Sequence, residues 1–360
     1  MIPGTTASRR RHIPAPPGLP AVNTKFMIVG WDNIDSDGLV LISDDGITWD
    51  YRNPNPEFFD NYYSVAHSPT LGDPVLGRWV IGGVSNLIPY SDDGGNTWTL
   101  NEILSPVQAQ FYGMCWTGSQ FIASGRGSTL PFVFTSPDGI NWTQQTGDPT
   151  TAGTWARVAG SDSLDVAVGY AQAGGGRIMT SLNDGIAWTS RNHQQVGVPE
   201  DAAVKETGGL IAVAVGDGGS STGVHISSST DGITWSGHSG APLNGNYFNG
   251  VTWNGTKFCA VGSDISTSTL PKVMVSTDGV TWTQKTSALA AGSFYPLAIA
   301  SASDGVMVAC GVDGSFNNPR IMYSTDNGET WTESYSALDM EFEPGNPGPF
   351  WMNLQHIAGA

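Results

Sequence analysis

The sequence predicts an all-β fold: a seven-bladed β-propeller of four-stranded blades, its ring closed by a C-terminal strand that completes the N-terminal blade. Three observations carry this. A short unit, Ser-x-Asp-Gly-x-Thr-Trp, recurs seven times at nearly constant spacing, and self-similarity at such a period marks blade architecture. Gly (47 residues) and Trp (13) are abundant while charged residues make up only 13%, which suits many turns and aromatic-rich strands. No sustained 3.6-residue apolar period occurs, so helices have no support.

The unit is cleanest at 229–235 (STDGITW) and 276–282 (STDGVTW). The other copies are 43–49, 91–98, 136–142, 181–188 and 324–331, and three copies are one residue longer. Closing tryptophans Trp49, Trp98, Trp142, Trp188, Trp235, Trp282 and Trp331 lie 44 to 49 residues apart, one four-stranded blade each. Before each unit comes a short apolar run ending in Gly, such as 26–30, 121–125 and 258–262. β-Branched and aromatic residues make these strands. A third strand runs into each Ser, as at 132–136. A first strand precedes both, as at 111–116 and 247–253. The fourth starts at the closing Trp.

Within the unit, the carboxylates of Asp45, Asp93, Asp138, Asp231, Asp278 and Asp326 can accept backbone N–H groups in a tight turn. Gly supplies a positive φ. Trp buries its ring between sheets, and its N–H needs an acceptor. These aspartates are therefore read as fold elements, not catalytic acids. In the fourth copy either Asn183, counted from the Ser, or Asp184, counted from the Trp, can fill the Asp place.

The ends predict closure. Residues 350–357 (FWMNLQHI) resemble a first strand with nothing after it, and 25–30 (KFMIVG) a second strand with nothing before it. Pairing them removes an open sheet edge. Residues 25–360 are read as the propeller. Residues 1–24 are an extended, basic, Pro-rich arm holding Arg9, Arg10 and Arg11 and no acid. Such a segment has little to bury alone. It gains order only against a partner or the propeller's own flank, and the partner reading points to a larger assembly.

Net charge is -17, and all charge on the arm is basic, so the body is more acidic still. This argues against nucleic acid or an anionic membrane as partner. No run of 18 apolar residues offers a membrane span. The three cysteines, Cys115, Cys259 and Cys310, sit in apolar runs without paired spacing and read as buried free thiols. No metal-ligand spacing and no cofactor-binding loop is present.

This pattern resembles the Asp-box, or BNR, repeat of sialidase-like β-propellers, over nearly all of residues 25–360. The resemblance implies the fold but not one role, since such repeats occur in sialidases, glycan-active enzymes, assembly factors, sorting receptors and viral structural proteins. Sialidases would imply an arginine triad. Here Arg177, Lys272 and Arg320 hold the same place before strand three, which reads as a rim feature, and sialidase folds have six blades. A glycosidase needs two facing carboxylates, roughly 5–10 Å apart, and no such pair can be assigned among Asp32, Asp35, Asp37, Asp217, Asp264, Asp313, Asp339, Glu341 and Glu343. No catalytic residue is assigned.

Blade topology places the strand two–three and blade-to-blade loops on one ring face and the repeated turns on the other. Binding is expected on the first. Candidate partner contacts are Arg9, Arg10 and Arg11 in the arm, Phe58 and Phe59 in the aromatic loop 51–63, and Asp339, Glu341 and Glu343 in the acidic loop 332–349. The Asp-Gly-Ile-Thr-Trp form is similar to repeats in phage structural proteins. The expectation is a non-enzymatic structural or binding component of a bacteriophage virion (tail, fibre or capsid decoration), made in the host cytoplasm. Other virion proteins would bind through residues 1–24, with a host surface glycan as a further candidate partner. The alternatives are a glycan-binding or glycoside-hydrolase-like propeller and an assembly factor for a cellular complex.

Overall fold

A computed structural model describes residues 25–336 and 356–359, apart from 32–37, 53–60, 104–108, 129, 148–152, 172–174, 193–196, 218–222, 224, 241, 244–245, 265–270, 286–293 and 314–318. Among the described residues all regular structure is strand. The order is β1 (Phe26–Trp31), β2 (Gly38–Ser43), β3 (Asp50–Arg52), β4 (Tyr62–Asp73), β5 (Gly77–Gly83), β6 (Tyr90–Ser91), β7 (Gln110–Trp116), β8 (Phe121–Arg126), β9 (Pro131–Ser136) and β10 (Thr143–Gln144). Then come β11 (Thr146–Gly147), β12 (Gly153–Gly160), β13 (Asp165–Ala171), β14 (Gly176–Ser181), β15 (Ala187–Arg191), β16 (Val198–Lys205), β17 (Ile211–Asp217), β18 (Ile226–Ser229) and β19 (Ser236–His238). Last are β20 (Asn246–Trp253), β21 (Phe258–Asp264), β22 (Pro271–Ser276), β23 (Thr283–Lys285), β24 (Phe294–Ser301), β25 (Met307–Asp313), β26 (Pro319–Ser324), β27 (Thr332–Ser336) and β28 (His356–Gly359).

Hydrogen bonding groups them as antiparallel meanders: β28-β1-β2-β3, β4-β5-β6, β7 to β10, β12 to β15 with β11 added parallel at the outside, and β24 to β27. An eight-stranded sheet joins β16 to β19 with β20 to β23. It is held in the middle by the single pairing Asp217↔Tyr247. In the β4-β5-β6 sheet the outer strand is reduced to the isolated bridges Leu87↔Glu102 and Tyr90↔Thr99.

The second strands are apolar at successive positions because both of their faces are covered. Phe26 and Ile28 pack with Ala298, Val308, Cys310 and Ile321; Met27 and Val29 pack on the other side with Val65, Trp79 and Ile81. β21 repeats this, Phe258 and Ala260 joining Val213 and Val215, Cys259 and Val261 joining Met307 and Ala309. Each fully buried large side chain contributes about 1.5–3 kcal/mol.

The ring closes as the ends predict. β28 pairs antiparallel with β1, from Phe26↔Gly359 to Val29↔His356. Of the expected strand 350–357, only 356–357 lie in β28, and 350–355 are outside the described residues. The first and last sheets share one apolar cluster, and Lys25 Nζ meets Asp304 Oδ2 at 2.6 Å. Innermost strands touch in succession, β4–β7–β12–β16–β20–β24–β28, and β28 returns to β4.

The repeated unit forms the turn its residues dictate. Ser43 Oγ accepts Gly46 N–H at 2.8 Å, and Asp45 Oδ1 accepts Ile47 and Thr48 N–H at 2.7 Å each. The same pattern holds at Asp138, Asp231 and Asp278. In the longer copies one extra residue is inserted in left-handed backbone: Gly94, Asp184 (φ 60°) or Asn327 (φ 60°). Asp93 and Asp326 still accept the N–H four residues on. This settles the fourth copy. Asn183 fills the Asp place, accepting from Ser181 Oγ and Ala187 N. Asp184 instead takes Thr117 and Ser119 hydroxyls from the preceding sheet.

The turn does more than clamp a hairpin. A Cβ on each motif glycine would meet a side chain of the preceding sheet: Val308 at Gly46, Met27 at Gly95, Val80 at Gly139, Ile122 at Gly185, Leu164 at Gly232, Ile211 at Gly279 and Val275 at Gly328. So the turn is also the wedge between neighbouring sheets. One expectation needs correction. Five tryptophan N–H groups, of Trp98, Trp142, Trp188, Trp282 and Trp331, donate to their own motif Gly carbonyl. Those of Trp49 and Trp235 have no partner among the described residues, since burial of the ring fixes these side chains without that bond.

Candidate binding rim at the inner strands

The inner strands share a feature that the repeat does not announce. Six of them carry a register shift at the same place: Tyr62/Ser64, Phe111/Gly113, Trp155/Arg157, Pro199/Asp201, Phe248/Gly250 and Pro296/Ala298. A bulge inserts a residue that the neighbouring strand does not pair. Here the inserted residues are Tyr63, Tyr112, Ala156, Glu200, Asn249 and Leu297. Opposite each bulge stands the Gly that ends the second strand. A Cβ on Gly125, Gly169, Gly216, Gly262 or Gly311 would lie 1.8–2.1 Å from an inner-strand carbonyl oxygen. These glycines are required by close approach of backbone, not by their φ.

Around the bulges, polar groups bond from sheet to sheet. Ser64 Oγ donates to Phe111 O at 3.1 Å, Arg157 Nη1 to Tyr112 O at 2.8 Å, and Asn249 Nδ2 to Pro296 O at 2.8 Å. Tyr247 Oη donates to Glu200 Oε1 at 3.1 Å. Asp201 accepts Val251 N–H and Ala202 N–H at 2.9 Å each. Burial pushes the Asp201 carboxyl up to about 6, with the Arg157 charge working against it. Burial also raises Glu200, and it raises the Tyr247 phenol together with the Glu200 charge. With both backbone bonds made, Asp201 serves as an inter-sheet tie. Glu200 and Tyr247 form one hydrogen-bonded pair.

Aromatic residues occupy the other side. Trp31 meets Tyr63 edge-on (5.3 Å, 80°), and Tyr63 meets Tyr112 at 5.0 Å. Next to Tyr112 opens a cleft of about 410 Å³ lined by Val84, Ser85, Gln110, Arg126, Gly127 and Ser128. The rim thus presents aromatics and an arginine near β1, β4 and β7, and a carboxylate with tyrosine near β16 and β20.

The predicted site residues divide cleanly. The aspartates and tryptophans of the repeat sit in the turns described above. Burial is outweighed by hydrogen bonds from Asn141, Ile140 and Ser136, which hold the Asp138 carboxyl down at about 2. Thr234 and Ile233 N–H groups hold Asp231 at about 2. Arg9, Arg10, Arg11, Phe58, Phe59, Asp339, Glu341 and Glu343 lie outside the described residues. Arg177, Lys272 and Arg320 do share one register, each opposite the Gly of its second strand. Lys272 and Arg320 pair with Asp264 and Glu333 of their own sheets. Sequence reading passed over Gln110, Tyr112, Glu200 and Tyr247. Aligning the first strands on Gly113 and Gly250 would have exposed the inserted residue ahead of each. No group of three or more His, Cys, Asp or Glu among the described residues could hold a metal, and no helix long and apolar enough to cross a membrane occurs among them.

The closed ring of antiparallel sheets, with its rim of bulged inner strands, defines this chain as a β-propeller. No protein-family model and no curated protein matches it. Among solved structures it is similar to YCF48 bound to D1 peptide (TM-score 0.53, 16% identity, 82% of this chain and 89% of that one). It is also similar to YCF48 from Cyanidioschyzon merolae (0.48, 14%, 76% and 84%) and to a chain of the nidogen/laminin complex (0.49, 12%, 93% and 97%). At 16% identity the likeness to the first of these speaks for the fold alone.

Proposed function

We propose that the chain is a non-enzymatic binding component of a multi-subunit assembly, a seven-bladed propeller that takes a protein partner on its bulged rim. The observation that carries this is the row Trp31–Tyr63–Tyr112 beside the Arg126 cleft, because aromatic residues and arginine dominate protein-binding hot spots. Seven apolar clusters among the described residues, each shared by neighbouring groups of strands, support the blade count. The peptide bound to YCF48 supports a partner of this kind. The most specific version is a bacteriophage virion protein (tail, fibre or capsid decoration), joined to its neighbours through residues 1–24. The Asp-Gly-Ile-Thr-Trp repeats and the run Arg9-Arg10-Arg11 motivate it. A glycan-binding or glycosidase-like role is the second reading, favoured by the Tyr247–Glu200 pair. Deleting residues 1–24 tests the first: the truncated chain should fold, yet fail to co-purify with the particle. Normal incorporation would refute it.

A further inference from the structure

Gln110 and Arg126 are register partners across β7 and β8. Gln110 Oε1 accepts the Tyr112 hydroxyl at 2.5 Å and Arg126 Nε at 3.3 Å. Arg126 Nε can only donate, so the amide oxygen must face it. The Gln110 Nε2 hydrogens then have no partner among the described residues, and the Arg126 guanidinium reaches only neutral groups there, the Gln110 amide and the Tyr112 hydroxyl. Nor does Arg126 meet a carboxylate there, whereas Arg78 pairs with Asp92 and Arg320 with Glu333. The cleft therefore offers donors in a chain of net charge -17. Its wall holds a second anomaly: Ser85 (φ 65°) and the adjoining Asn86 (φ 66°) are consecutive non-glycine residues in left-handed backbone. Asn86 is held there by exchange of bonds with Ala109, and such conformations concentrate at ligand sites.

We infer that the Arg126 cleft receives the carboxylate of a peptide segment, gripped by the guanidinium and the Gln110 amide, with a neighbouring apolar side chain against Tyr112 and Tyr63. This rests on the protein-partner reading and names its chemistry. A planar guanidinium that meets no carboxylate among the described residues matches one in two-point fashion. A peptide fits better than an acidic sugar because Trp31 meets Tyr63 edge-on at 80°. The three rings lie at 80° and 34° to their neighbours and so form no single flat platform on which a sugar stacks.

The test titrates the full chain with acetyl-Ala-Phe-Ala bearing a free C-terminal carboxylate, with the same tripeptide as its amide, and with glucuronate, following tryptophan fluorescence and calorimetry. The acid should bind at least about tenfold more tightly than the amide, the scale of one charge-assisted contact. Arg126→Gln should lose a similar factor for the acid only, and Arg177→Gln, away from the cleft, should lose nothing. Equal binding of acid and amide, an unaffected Arg126→Gln protein, binding of glucuronate alone, or no binding by any probe would each overturn the inference. A chain that still joins its assembly while ignoring the tripeptide keeps the functional proposal and loses only this site.

Discussion

Asp165→Asn gives the sharpest test of the packing. Asp165 opens β13 and pairs with Ser181, the motif serine of its sheet. In the other copies the residue paired with that serine is Phe26, Trp79, Phe121, Phe258 or Met307, and in one copy Ala212. A carboxyl group thus stands where an apolar side chain belongs. It is fully buried, and neither oxygen has a hydrogen-bond partner among the described residues. The nearest donors are engaged in the turn, Gly185 N–H with Ser181 Oγ and that hydroxyl with Asn183. Burial, opposed by the nearby Gly185 N–H and Ser181 hydroxyl and reinforced by the charges of Asp184 and Glu206, raises this carboxyl from 3.8 to about 7. The sign follows. Between about pH 4 and 7 the unfolded chain has released a proton that the folded chain keeps, so stability falls as pH rises. The slope is about 1.4 kcal/mol per pH unit, and the loss is complete above about 7, near 4 kcal/mol in all. Asparagine keeps the shape and cannot ionise. Urea unfolding followed by tryptophan fluorescence should show the variant gaining on the parent by about 3–4 kcal/mol between pH 4 and pH 8. Parallel stability curves for the two proteins would show that Asp165 does not titrate as its burial requires.

The remaining expectations concern the turns, the bulges and the closure. Asp138 and Asp231, each held at about 2, stabilise the fold above about pH 4, and this contribution is lost as pH falls through 2. Acid unfolding should therefore begin below pH 4, with Asp138→Ala flattening part of the transition. Gly262→Ala brings a Cβ to 1.8 Å from Tyr247 O and should cost about 3 kcal/mol or more by overpacking. Gly175→Ala, at φ 100° with nothing within 4 Å, should cost only about 1–2 kcal/mol. Equal losses in the two melts would contradict the close-approach reading. Removing residues 356–360 deletes the partner of β1. At roughly 1 kcal/mol per ladder hydrogen bond, the loss should be on the order of 3 kcal/mol, and the bared edge should drive self-association in light scattering. A monomer with unchanged melting would argue against the clasp.

Periodicity made the fold legible. The Ser, Asp, Gly and Trp of each unit act within a few residues of one another, so the turn chemistry and the four-strand rhythm could be read without coordinates. Closure was legible for a related reason: an incomplete unit at each end leaves complementary strands. Everything that depended on which residues meet across sheets was not. Asn183 and Asp184 were equally able to make the turn, and only the neighbouring Thr117 and Ser119 hydroxyls show why Asp184 points away. The Gly ending each second strand looked like punctuation, whereas it makes room for a bulged backbone some 15 residues earlier in the chain. Gln110, Tyr112 and Arg126 carry no motif; they become a site because β7 and β8 place them in register and the Tyr63 ring arrives from the sheet before. Local hydrogen bonds and strand period are properties of adjacent residues, and sequence alone determined them. The rim is a property of curvature and of neighbours 45 to 50 residues distant, and only the closed ring decided it.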